Sequence, residues 1–92
     1  MINYHLLVSG RVQGVGFRWA TYQLALELGI YGWVQNLANG QVEIVAQGEH
    51  EAVRSFLKKI QAGPNRFARV DTIKVKQTNL EDFHDFTIKE GF

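Results

Sequence analysis

Val8-Ser9-Gly10-Arg11-Val12-Gln13-Gly14-Val15-Gly16-Phe17-Arg18 opens as an apolar strand, turns through glycines and delivers an arginine into the first turn of a helix. Upstream, Ile2, Tyr4, Leu6 and Val8 alternate with more polar neighbours, the period of a half-buried strand that ends near Val12. Downstream, Phe17, Ala20, Leu24 and Leu28 recur at helical spacing, and Gly29 is a natural stop, which predicts a helix over 17–28. Trp19, Tyr22 and Leu26 form a second stripe, so this helix is expected to be apolar on more than one face. A strand feeding a helix through glycines also builds an anion site. Glycines let consecutive backbone N–H groups turn toward one point, and a helix N-terminus adds partial positive charge there. Arg18 contributes a planar, permanently charged fork that matches phosphate geometry.

Working outward, residues 31–37 and 41–47 read as two strands, joined by Asn39-Gly40, a hairpin signal because both residues tolerate positive φ. Residues 49–61 form a second helix with Val53, Phe56, Leu57 and Ile60 on one face. Glu49 and Glu51 lie in its first turn and Lys58 and Lys59 near its end, as the helix dipole prefers. Ala62-Gly63-Pro64-Asn65 breaks it. Residues 69–77 read as a fourth strand, and the spacing of Val70 and Ile73 breaks strict alternation, the mark of a bulge. A loop over 79–85 precedes a short last strand over 86–88. The order β-α-β-β-α-β predicts a ferredoxin-like α+β sandwich, an antiparallel sheet with two helices on one face, as one domain over residues 1–92.

The 92 residues suffice for one core, since a chain this size buries about 60–70% of the surface its unfolded form exposes. An apolar fraction of 46% fits a compact globule and excludes a disordered segment. With no cysteine, disulfides and a thiol nucleophile are excluded, and a cytoplasmic setting is expected. The first residues lack a basic stretch followed by a long apolar run, so neither a signal peptide nor a membrane partner is expected. A net charge of +1 gives no reason to expect bulk nucleic-acid binding. RNA-recognition domains share this element order, but they stack bases on exposed aromatics of the central strands. Gln41-Val42-Glu43-Ile44-Val45-Ala46-Gln47 has none, and Glu43 would repel phosphate.

A second segment, Gly32-Trp33-Val34-Gln35-Asn36-Leu37-Ala38-Asn39-Gly40-Gln41-Val42, joins the first in pointing to one family. Residues 8–18 match Val-x-Gly-x-Val-Gln-Gly-Val-x-Phe-Arg, and residues 32–42, with Gly48 beyond them, match Gly-Trp-Val-x-Asn-x-x-x-Gly-x-Val. In that order and at that separation, the two resemble the signature motifs of the acylphosphatase family, whose members are about this long. The resemblance implies hydrolysis of the anhydride between a carboxylic acid and phosphate. It implies that the backbone N–H groups of Gln13, Gly14, Val15, Gly16, Phe17 and Arg18, with the Arg18 guanidinium, hold the phosphoryl group, while the Asn36 amide orients the attacking water. Arg18 and Asn36 are then the catalytic residues, with no metal and no cofactor. The partners implied are a small acyl phosphate and inorganic phosphate as product and inhibitor, bound by a monomer. An amide is a poor base, so proton removal falls to the substrate or solvent.

Strand order makes the meeting of these segments physical. In a β-α-β unit the two strands point the same way, so the glycine loop and Asn36 face one sheet edge, about 10 Å apart if one strand intervenes. Leu37 stands where animal members often carry a threonine, which removes that hydroxyl from the site. The ending Lys89-Glu90-Gly91-Phe92 departs from the family's endings and leaves contacts from the C-terminus to the site unassigned. Arg11 reads as a solvated edge charge, and Trp19 and Trp33 as packing residues. His5, His50 and His84 lack metal-ligand spacing and read as surface or structural residues, as do Asp82 and Asp85. A relative that keeps the pocket only to bind a ligand is the rival reading, and turnover of a simple acyl phosphate separates the two.

Overall fold

The computed structural model describes residues 1–90; Gly91 and Phe92, the end of the tail considered above, lie outside the described residues. Chain order is β1 (Ile2–Arg11), α1 (Phe17–Leu28), β2 (Tyr31–Asn36), β3 (Val42–Gly48), α2 (His50–Ala62), β4 (Arg69–Thr78) and β5 (Phe86–Ile88). The strands form one sheet in the order β4-β1-β3-β2-β5. β1 pairs antiparallel with β3 and β4, and β2 antiparallel with β3. The predicted β-α-β-β-α-β sandwich is therefore present, with one difference. β5 adds to β2 in parallel, so the sheet is mixed at that edge. The Lys89 N–H donates to the Val34 carbonyl at 2.8 Å and carries this pairing past the strand's end.

Alternation along the strands separates two faces. Leu6 and Val8 of β1, Val34 of β2, and Val42 and Ile44 of β3 point to the helices and are almost fully buried. They meet Phe17 and Ala25 of α1 and Val53, Phe56 and Ile60 of α2 in one cluster. Burying side chains of this size is worth about 1.5–3 kcal/mol each. Phe56 reaches across the helix layer to Phe86 of β5, ring centroids 6.3 Å apart. The opposite face carries His5, Gln35 and Glu43. There, His5 Nε2 lies 2.7 Å from Glu43 Oε2, and Gln35 Nε2 donates to Glu43 Oε1 at 2.6 Å. Burial raises the Glu43 pKa. Hydrogen bonds from His5 and Gln35 and the positive potential of His5 and Lys89 outweigh it, and hold the carboxyl below its ordinary range.

α1 buries Phe17, Thr21, Leu24 and Ala25, whereas Trp19 and Leu26 are exposed. Once Phe17 enters the core, positions four, seven and eight residues on follow it there. Thr21 therefore takes the place that apolarity alone gave to Ala20, and the predicted second apolar face is open to solvent at Trp19 and Leu26. Gly29, left-handed at φ 70°, ends the helix, and the Ile30 N–H closes the last turn on the Ala25 carbonyl at 2.8 Å. The bulge expected between Val70 and Ile73 is also present. Ser9 faces Thr72 but Gly10 faces Val70, which leaves Asp71 as the extra residue. Gly10 permits that crowding, because a Cβ there would fall 2.2 Å from the Arg69 carbonyl oxygen. Arg11 is exposed, as expected of an edge charge.

Candidate active site

β1 leaves the sheet at Arg11, and the chain needs five residues to turn into α1. Gly14 and Gly16 make that turn in left-handed conformations, at φ 73° and 77°. A side chain at Gly16 would be strained in this geometry and would sit 3.5 Å from Asn65 Nδ2. Left-handed turns direct successive N–H groups into a concavity. No N–H of residues 13–18 donates to another protein group among the described residues. Gly16 is the N-cap of α1 and supplies no side chain to satisfy the first helical N–H groups. The loop thus presents unsatisfied donors backed by the positive end of a helix, a combination that favours an anion.

Asn36 arrives from the other direction. It is the last residue of β2, and β3 lies between it and β1. Its register fixes the distance. Asn36 and Val8 both face Val42, from opposite sides, so they are separated by two strand spacings, about 10 Å. Asn36 alternates with buried Val34 and therefore points to the helix side, where the loop also lies. Its Oδ1 atom is buried and accepts no hydrogen bond among the described residues. A buried amide oxygen without a donor costs about 1–3 kcal/mol, which a ligand hydroxyl or water would recover.

A side chain ties the two halves together. Gln13 Nε2 donates to the carbonyl oxygens of Leu37 and Gln41, at 2.8 and 2.9 Å, just beyond Asn36. Those two carbonyls frame the β2–β3 turn. It is one residue longer at its mouth than a two-residue hairpin: the Leu37 N–H bonds the Gln41 carbonyl, and Gly40 takes φ 93°. On the loop's other flank, Asn65 Nδ2 donates to the Val15 carbonyl at 2.9 Å. The sequence reading used Gln13 only as a backbone donor, and neither staple was anticipated.

Gly14, Gly16, Phe17, Arg18 and Asn36 border one cavity of about 250 Å³, with Val12, Trp19, Ile88 and Glu90 completing its wall. Of the predicted residues, Gln13 and Val15 do not line it; they hold the loop in the ways just described. Trp19 corrects the sequence reading. It is 57% exposed at the cavity's edge and is not a core packing residue. Trp33 is half-buried, with the Lys89 ammonium 4.0 Å from its ring centroid. Arg18 and Glu90 are the ionisable side chains of the wall, with Arg18 Nη1 4.0 Å from Glu90 Oε2. Glu90 stands 90% in solvent, so this pairing is weak and an incoming anion can displace it. His84 and Asp82, 3.9 Å apart, are both exposed and far from being a buried cluster.

The profile that describes the acylphosphatase family matches residues 4–88. An acylphosphatase of Lactobacillus johnsonii is 49% identical over 82 residues, which cover 88% of this chain and 90% of that protein. One of Thermus thermophilus is 47% identical over 81 residues, covering 85% and 91%. The crystal structure of acylphosphatase from Bacillus subtilis superposes with a TM-score of 0.93 at 40% identity, over 97% of this chain and 99% of that one.

Proposed function

The chain belongs to the acylphosphatase family of enzymes, and from that premise we propose that it hydrolyses acyl phosphates by in-line attack of water, without a metal ion. The observation that carries the reading is the unpartnered Asn36 Oδ1, buried in the wall of the cavity that Arg18 and the donor-rich loop also border. The phosphoryl group binds N–H groups of the loop over residues 13–18, where Gly14, Gly16, Phe17 and Arg18 border the cavity, and its equatorial oxygens take the two-pronged guanidinium of Arg18. Asn36 Oδ1 accepts a hydrogen bond from the water and aims its lone pair at phosphorus. The water oxygen bonds to phosphorus as the bond to the bridging oxygen breaks, which releases carboxylate, inorganic phosphate and one proton. Such a transition state asks for positioning and charge stabilisation more than covalent chemistry, and Arg18 with the loop dipoles meets that demand.

The leaving group decides the substrate class. A carboxylate has a conjugate-acid pKa of about 4–5 and departs unprotonated, whereas an alkoxide, near water's ~15.7, needs an acid or a metal. Arginine holds its proton and an amide has none to give. Inorganic phosphate, filling the same loop, inhibits competitively. Every residue that this mechanism uses comes from one chain, so a monomer suffices for it, and the cysteine-free composition suits the cytoplasm. The test compares acetyl phosphate with phosphoserine, for wild type and Arg18→Ala, with and without chelator. Acetyl phosphate alone is hydrolysed, chelator changes nothing, and Arg18→Ala removes the activity. Efficient cleavage of phosphoserine, or activity lost in chelator and restored by metal, overturns the mechanism.

A further inference from the structure

We propose that Trp19 and Ile88 form an acyl-group subsite, so that the enzyme favours flat, apolar acyl groups over small ones; the inference rests on the acyl phosphate reading above. The cavity wall combines two chemistries. The glycine loop, Arg18 and Asn36 serve the phosphoryl group and its water. Trp19, Ile88 and Val12 add apolar side chains to the same wall. At about 250 Å³ the cavity holds more than a phosphoryl group and its water. The remainder is where a group attached to the bridging oxygen must go.

Trp19 is suited to receive it. It follows Arg18 directly in the chain, and both border the cavity, so the indole lines the space open to a group attached to the bound phosphate. The indole is more than half exposed, which leaves apolar surface for a ligand to cover. Its orientation is held. Trp19 stacks on Tyr22 with centroids 5.5 Å apart and planes 25° from parallel, and Tyr22 packs against the core. A ring fixed this way loses little freedom when a flat group stacks on it. Apart from the indole N–H, the side chains of Trp19, Ile88 and Val12 offer no donor or acceptor to a polar acyl group, and Glu90 disfavours one bearing a second carboxylate.

The experiment measures kcat/KM for benzoyl phosphate and acetyl phosphate with wild type, Trp19→Ala and Trp19→Phe, and the inhibition constant of inorganic phosphate with each. The intrinsic reactivities of the two substrates cancel when their ratio is compared between variants. Trp19→Ala lowers kcat/KM for benzoyl phosphate about three- to tenfold, chiefly through KM, and that for acetyl phosphate by less than about twofold, as expected for one lost aromatic contact. Trp19→Phe restores most of the benzoyl preference, and phosphate inhibition is unchanged throughout. A benzoyl-to-acetyl ratio that is the same in wild type and Trp19→Ala overturns the subsite, whether both activities fall together or neither moves. Hydrolysis of neither substrate by wild type overturns the acyl phosphate reading itself, and the subsite with it.

Discussion

Gln13→Met isolates the staple between the glycine loop and the strand end that carries Asn36. Methionine keeps the length and flexibility of the side chain and removes both donated hydrogen bonds, to Leu37 O and Gln41 O. Neither carbonyl is orphaned. Leu37 O still accepts from the Gly40 N–H at 3.1 Å, and Gln41 O from the Leu37 N–H at 2.8 Å. The cost is therefore two net hydrogen bonds, about 1–3 kcal/mol together, without the further penalty of a stranded acceptor. For a domain of this size each kcal/mol lowers Tm by about 4–8 °C. The catalytic consequence is larger and falls on one half of the site. The loop keeps its anchor to Asn65 and its continuity with α1, whereas the turn beyond Asn36 keeps, among the described residues, only Gln41 Nε2 to Ser9 Oγ as a side-chain hydrogen bond to another element. Asn36 is the group that loosens. A displacement of ~1 Å costs on the order of a hundredfold, so kcat on benzoyl phosphate falls about ten- to a hundredfold while inhibition by inorganic phosphate stays near the wild-type value. Initial rates and a phosphate inhibition series, read beside a thermal melt, measure all three quantities. An unchanged kcat beside a lowered Tm would refute the positioning role, as would parallel losses of kcat and phosphate affinity.

Asn36→Ala removes the proposed water acceptor, and kcat falls by about a hundredfold or more with phosphate binding retained; loss of phosphate affinity at full kcat would reverse the roles given to Arg18 and Asn36. Thr21→Val replaces a fully buried hydroxyl that has no partner among the described residues. Valine matches its shape and helix propensity, so the variant gains about 1 kcal/mol, and a thermal melt that shows a lower Tm contradicts this. Glu43 has a depressed folded-state pKa, so its contribution to stability is present above the ordinary value of 4.5 and is lost as pH falls through the folded value. The Tm difference between wild type and Glu43→Gln accordingly shrinks from pH 7 to pH 3, and a difference that grows on acidification rules the pairing out as its source.

What the chain reveals before folding is what short stretches decide by themselves. Gly29 stops α1 because only the residues just before it are involved, and the broken alternation at Val70 and Ile73 forces a bulge wherever β4 pairs. The meeting of Arg18 and Asn36 at one cavity was legible for a related reason: β-α-β geometry sends both strand ends to one sheet edge whatever the side chains are. Other features depend on which groups converge from distant parts of the chain. The parallel docking of β5 on β2 required the loop before Phe86 to return to that edge. The face of α1 turned on whether Phe17 or the Trp19 stripe entered the core, and periodicity allowed either. Once Phe17 did, Trp19 was left at the cavity's edge, one residue beyond the arginine. Gln13 makes the same point within a single residue. Its backbone belongs to the loop that the spacing predicted, while its side chain serves the turn beyond Asn36, 24 residues away from it at Leu37. A motif position can therefore be recognised by its place in the loop and still owe its amide side chain to a partner the motif does not contain.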